Sequence, residues 1–173
     1  VGMRGARRFF LSLLVMAAGA AQASEPFPWP GGRKAAVSLA YDDAIASQLD
    51  HAIPALDRHG LKGSFYLTLA SDTLRTRQRE WVAAARNGHE LGNHTLFHQC
   101  SASQPDRAWV EPHRDLDTTT VAQMVDQVRL ANAMLAALDG RSERTMTVPC
   151  GDTRARDGHY IDAVAADFVA IKL

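Results

Sequence analysis

The segment Lys34-Ala-Ala-Val-Ser-Leu-Ala-Tyr41 is almost unbroken in its apolar character and stops at two carboxylates, Asp42-Asp43. A half-exposed strand alternates apolar and polar residues, whereas a near-continuous apolar run marks a strand covered on both faces. Such cover comes from helices, and helices follow. Leu49, Ile53 and Leu56 recur at helical spacing, with Pro54 expected to kink that helix or to begin its last short piece, and Gly60 to end it. Ser64 to Leu69 reads as a second strand, Arg77 to Asn87 as a helix closed by Gly88, and His89 to Asn93 as a third strand. Thr118 to Thr120 can cap a long helix whose positions Val121, Met124, Val125, Val128, Leu135 and Leu138 keep a period near 3.6, ended by Asp139-Gly140. Thr145 to Val148, a helix over His159 to Ala166, and a strand over Phe168 to Ile171 complete the pattern. Alternation of this kind predicts an α/β fold with a parallel sheet or barrel and helices outside it.

Composition agrees with one such domain. The chain has 173 residues, 46% hydrophobic and 22% charged, which suffices for a buried core and excludes a disordered chain. Its formal net charge is zero without a block of like charges, so no nucleic-acid partner is expected. Arg4, Arg7 and Arg8 precede the apolar run FFLSLLVMAAGAA, and Ala21-Gln22-Ala23 offers the small residues of a cleavage site. Residues 1–23 therefore read as an export signal, compatible with either the general secretory or a twin-arginine route. Residues 24–33 read as a linker, and 34–173 as the domain. Export implies a periplasmic or extracellular protein with no stable membrane insertion after cleavage. Removing residues 1–23 deletes three Arg and no acid, leaving 16 basic residues against 19 acidic. Export also permits a disulfide; Cys100 and Cys150 are the two cysteines, and a bridge or two free thiols both remain open.

In parallel α/β folds, sites gather at the carboxyl ends of the strands. Asp42-Asp43 ends the first strand, Gly92-Asn-His-Thr-Leu-Phe-His98 follows the third, and Pro149-Cys150-Gly151 follows the fourth. Three polar clusters distant in sequence are thus expected on one rim. One carboxylate with two imidazoles suits a catalytic zinc or similar ion, because three protein ligands leave a coordination position for water. His94 and His98 have the spacing of a helix-face pair, but the Gly-Asn before them favours a strand running into a loop. Asp42-Asp43 could equally cap the following helix. His51, His59, His89, His113 and His159 are expected to be surface or structurally satisfied histidines. Trp29 and Trp109 can either stack on sugars or simply pack.

Taken in order, Tyr41-Asp42-Asp43, the stretch Gly88-His-Glu-Leu-Gly-Asn-His-Thr-Leu-Phe-His98, and Val148-Pro149-Cys150-Gly151 resemble the polysaccharide deacetylase family, also called carbohydrate esterase family 4. The resemblance implies a distorted (β/α) barrel and a hydrolase that removes N-acetyl groups from amino-sugar polymers, releasing acetate. It implies Asp42 as general base, and Asp43, His94 and His98 as ligands of Zn2+ or another divalent ion such as Co2+. It also implies a substrate-binding role for Cys150 and Gly151, with the Cys150 backbone N–H holding an oxyanion. The expected partner is an acetylated carbohydrate. Removal of O-acetyl groups from xylan, attack on another amide, or a non-catalytic carbohydrate-binding remnant are the alternatives. The sequence departs from the family at Thr147, where an Arg is common, and at Cys150, where an aromatic residue is common. No counterpart of the family's later Leu-x-His segment, which supplies the general acid, occurs before Leu173. The expectation is therefore a domain truncated at its C-terminus and poorly active by itself.

Overall fold

A computed structural model describes residues 27–173; the expected export signal and residues 24–26 of the expected linker lie outside the described residues. The described residues divide into two units, with the boundary between Ala36 and Val37. Of the first, the described part holds a 3-10 turn at Pro30–Gly32 and an edge-to-face contact of Phe27 with Trp29, whose ring centroids are 4.7 Å apart.

The second unit is a five-stranded parallel sheet curled as a half-barrel, with helices packed against it. Its strands lie in the order β1 (Ala40–Asp42), β2 (Ser64–Leu67), β3 (Glu90–Asn93), β4 (Thr145–Thr147) and β7 (Ala170–Lys172). The helices are α1 (Ile53–Arg58), α2 (Asp72–Thr76), α3 (Gln78–Arg86), α4 (Val121–Asp139) and α5 (Tyr160–Val164). A two-stranded antiparallel ribbon, β5 (Arg154–Ala155) with β6 (Gly158–His159), follows β4. Among the described residues no helix is long and apolar enough to cross a membrane.

Two apolar clusters hold the sheet, and α4 joins them. Phe65, Leu67, Leu91 and Trp81 pack with Ala131 and Leu135 of α4. Met146, Val148, Tyr160 and Val164 pack with Met124 and Val128, one and two turns earlier on that helix. Burial of each such large side chain contributes roughly 1.5–3 kcal/mol, so a helix spanning both clusters fixes the middle of the sheet. The ends of α4 follow from its sequence. The Thr120 hydroxyl accepts from the backbone N–H of Gln123 at 3.1 Å, the Gln123 side chain accepts from Thr120 N–H at 2.8 Å, and Gly140 ends the helix at φ 72°.

Two sequence expectations are corrected and one is resolved. The first strand is Ala40–Asp42, not Lys34–Tyr41, and Val37 is 83% exposed. β1 is an edge strand whose partner among the described residues is β2, so residues 34–39 have no second ladder to hold them extended. Of the two outcomes expected for Pro54, the structure takes the second: a π-helical turn, Gln48–Ala52, precedes α1, and Pro54 opens the last short piece, Ile53–Arg58. The last helix begins at Tyr160 and gives way to a 3-10 turn at Ala165–Asp167, because Gly158 and His159 are taken by the ribbon.

Candidate metal centre

The three polar clusters meet at the carboxyl ends of β1, β3 and β4. Asp43 is placed by a turn in which it and Ala44 both adopt left-handed backbone, φ 80° and 58°. The turn is locked from α2, since the hydroxyl of Ser71 donates to the Ala44 carbonyl at 3.0 Å and that of Thr73 to the same oxygen at 2.5 Å. Left-handed backbone is costly for residues with a Cβ, about 1–3 kcal/mol each when strained, and such positions collect at sites where the surroundings fix them. Of the six non-glycine residues with positive φ among the described residues, five are Asp43, Ala44, Thr95, His98 and Cys150. Four of the five lie in the three clusters, and Ala44 adjoins the first.

The loop after β3 is organised by its own sequence. Gly92 lies under the Tyr66 ring, where a Cβ would meet Cδ1 at 2.4 Å. Buried Asn93 donates to the Val128 carbonyl at 2.9 Å and to Asn132 Oδ1 at 2.7 Å, while its own Oδ1 accepts from Thr95 N–H at 2.7 Å. The Thr95 hydroxyl then accepts from His98 N–H at 3.0 Å. His94 and His98 are thereby held by a loop and not by a helix face, with ring centroids 4.8 Å apart.

Asp43 Oδ1 lies 3.3 Å from His94 Nε2 and 3.2 Å from His98 Nε2. His94 is buried, and its Nδ1–H donates to the Thr147 carbonyl of β4 at 2.7 Å, which leaves the Nε2 lone pair directed at Asp43. Burial pushes the His94 pKa below its ordinary value. The Thr147 hydrogen bond and the charges of Asp42 and Asp43 oppose that shift, and the neighbouring His98 adds to it. A neutral His94 and the Asp43 carboxylate are two electron-rich groups facing one another, an arrangement that a cation relieves. Ligands about 2.1 Å from one tetrahedral zinc lie roughly 3.4 Å apart, so the observed separations fit such an ion. The three ligand atoms are all within 4.8 Å of one another.

Asp42 lies beside this triad with its Oδ1 buried and without a hydrogen-bond partner among the described residues. Its Oδ2 accepts from Lys172 Nζ at 3.3 Å, and the same ammonium lies 5.5 Å from the Tyr66 ring centroid. Sequence reasoning missed Lys172. It is placed there by the parallel register Thr147↔Lys172 of β4 and β7, for which the sequence carries no signal.

Cys150, at φ 58°, forms a disulfide with Cys100, their Cα atoms 5.9 Å apart. The bridge ties the loop after His98 to the loop after β4. Gly151 N–H donates to the Val148 carbonyl at 3.2 Å, within the turn. Arg107 bridges the same two loops, donating to Asp152 Oδ2 at 3.1 Å and to the Cys150 carbonyl at 3.4 Å. Its guanidinium lies 5.9 Å from the ring centroid of Trp109, which is 57% exposed. An open groove of about 580 Å³ runs past Asp43, Ser71, Phe97, His98, Trp109 and Arg114. Among the other histidines, His89 is fully buried and satisfied by Gly63 N–H at 3.2 Å and Asp57 at 3.0 Å.

The family profile described as polysaccharide deacetylase matches residues 30–164. A search of curated proteins finds no match. Among solved structures, a CE4 family pseudoenzyme from Bacillus anthracis is similar at a TM-score of 0.56 and 18% identity, over 78% of this chain and 42% of that chain. A polysaccharide deacetylase from Bacillus cereus is similar at 0.54 and 16%, over 77% and 57%. The chitin deacetylase of the fungal pathogen Colletotrichum lindemuthianum is similar at 0.54 and 18%, over 78% and 54%. At these identities the likeness is one of fold, and a fold shared with a pseudoenzyme does not carry an activity. The chain spans less than half the length of the first solved structures it matches. The profile covers more than half of this chain, which therefore belongs to the polysaccharide deacetylase family.

Proposed function

We propose that the protein is a metal-dependent hydrolase that removes N-acetyl groups from an amino-sugar polymer or oligomer and releases acetate. The observation that carries this reading is the convergence of Asp43, His94 and His98, with His94 fixed in the tautomer that offers Nε2. A zinc or similar divalent ion held by these three would supply Lewis acidity to a carbonyl oxygen and lower the pKa of a water to about 7. Asp42 is the base. Its carboxylate accepts the water's proton, and the Lys172 ammonium, donating to Oδ2, helps to fix its orientation. The backbone N–H of Cys150, in the loop beside His98, is the donor proposed for the carbonyl oxygen as it gains charge. Trp109 and Phe97 offer ring faces to a sugar in the groove. The disulfide and the N-terminal sequence support an exported protein.

The test separates water attack from leaving-group protonation. An aryl acetate, whose phenolate leaves without a proton, is expected to be hydrolysed by the zinc-loaded chain. Asp42→Asn should lower that rate by roughly 10²–10⁴ while zinc binding is retained. N-acetylated chitooligosaccharides and acetylated xylan then report N- against O-acetyl preference. Hydrolysis that is indifferent to both zinc and Asp42 would remove the reading.

A further inference from the structure

His98 belongs to two clusters of potential ligands. Its Nε2 faces Asp43 at 3.2 Å, and its Nδ1, on the other side of the ring, lies 3.7 Å from Cys100 Sγ. The ligand atoms of His98, Cys100 and Cys150 all fall within 4.8 Å of one another. While the two sulfurs are bonded to each other they are poor ligands. As thiolates they would be strong ones for a soft divalent ion.

The geometry points to a second, latent metal site, Cys100-Cys150-His98, that opens for a thiophilic divalent cation of the zinc or cobalt class when the disulfide is reduced. With zinc–sulfur distances near 2.3 Å and zinc–nitrogen near 2.05 Å, tetrahedral coordination places N and S about 3.6 Å apart, close to the separation already present. The backbone needs no rearrangement to supply it. Cys100 is anchored where its carbonyl accepts from Leu116 N–H at 3.0 Å, and the Cys150 turn is closed by Gly151 N–H to Val148 and Asp152 N–H to Pro149, at 3.2 and 3.0 Å. Opening the bond lets the two sulfurs part by side-chain rotation alone, to the roughly 3.8 Å that a shared zinc requires. Cys100 is 1% exposed and Cys150 half-buried, so the ion would be shielded on one side and open to a water ligand on the other. Arg107, which donates to the Cys150 carbonyl, brings a positive charge close to the sulfurs. Asp152 is held by Arg107 and Ser101 N–H and is not free to join.

The chemistry balances with a dithiol reductant. Its two thiol hydrogens pass to Cys100 and Cys150 as the Sγ–Sγ bond breaks, and the reductant closes its own disulfide. Both cysteines then release a proton to solvent on binding the cation. Because a neutral imidazole has one lone pair, an ion taken through His98 Nδ1 leaves Nε2 as an N–H that can only donate to Asp43, and His98 is lost as a ligand beside Asp43 and His94. The disulfide thus directs His98 to the candidate hydrolytic centre.

Cobalt(II) titration of the whole chain, oxidised and then reduced with the dithiol removed under argon, tests this without reference to hydrolysis. The reduced chain should show strong near-ultraviolet thiolate-to-cobalt charge-transfer absorption, absent when oxidised, and bind at least about tenfold more tightly. Cys150→Ser should abolish the two-sulfur absorption, and His98→Ala should weaken binding about tenfold or more. Far-ultraviolet circular dichroism should be unchanged on reduction. No charge-transfer band, a band indifferent to Cys150→Ser, affinity indifferent to His98→Ala, or loss of native ellipticity on reduction would each overturn the latent site. Failure of the hydrolytic centre is read separately, from zinc stoichiometry of the oxidised chain.

Discussion

His94 shows how much a single side chain can carry. Its identity and its distance from His98 are plain in the sequence, but its usefulness as a ligand depends on the Thr147 carbonyl, which lies 53 residues away and comes into reach only through the β3–β4 pairing. The same holds for Asp42, whose pairing with Lys172 spans 130 residues. Residue types that suit metal chemistry were therefore legible, whereas the atoms that orient them were not, because hydrogen bonds between strands leave no periodic mark in sequence. The left-handed backbone at Asp43, Thr95 and His98 was equally hidden, since none of them is glycine. Gly92 is different: its role is the approach of the Tyr66 ring. Gly92→Ala should cost about 1–3 kcal/mol in denaturant unfolding through overpacking, and it should also displace the loop that holds both histidines. A variant as stable as the parent would show that the ring has room to move.

Among the elements, α4 was the most readable and β1 the least. Thr120 and Gly140 announce the ends of α4, and its apolar stripe is long enough for the period to stand out. The apolar run before Asp42 gives no sign that β1 is a short edge strand, because hydrophobicity does not report whether a second neighbour exists. Ribbons of two residues per strand, as in β5 and β6, lie below any periodic signal. Between α4 and β4, Asp139 and Arg144 form a pair with side chains 1% and 2% exposed, joined at 2.6 and 3.0 Å. Burial alone would raise the Asp139 pKa, but Arg144, the N–H of Arg141 and their charges together hold it below the ordinary carboxylate range. A carboxyl whose pKa is lowered on folding contributes stability that is present above its unfolded value, near 4, and is lost as pH falls through the folded value. Arg144→Met should therefore cost about 3–5 kcal/mol near neutrality, by leaving a buried charge unpaired, and less once acid protonates Asp139. A penalty that did not shrink in acid would contradict this.

For the molecule as a whole, the order of strands does the assembling. Three polar clusters separated by some fifty residues each were expected on one rim because parallel strands end on the same side, and the sheet brings Asp43, His94 and His98 together in that way. The disulfide, left open by sequence alone, adds a covalent tie between the second and third clusters across a separation of 50 residues. A closed loop of that length stabilises by about 4 kcal/mol through the unfolded chain, so Cys100→Ser with Cys150→Ser should lower the unfolding free energy by that order. An unchanged value would mean that the loops hold themselves. The proposed chemistry rests on the triad binding one divalent ion. The most direct test is calorimetric titration of the oxidised chain with zinc: one ion per chain is expected, with affinity reduced at least about 100-fold in either His94→Ala or Asp43→Asn. A parent chain that takes up no zinc, or a His94→Ala chain that binds it as tightly as the parent, would contradict the account.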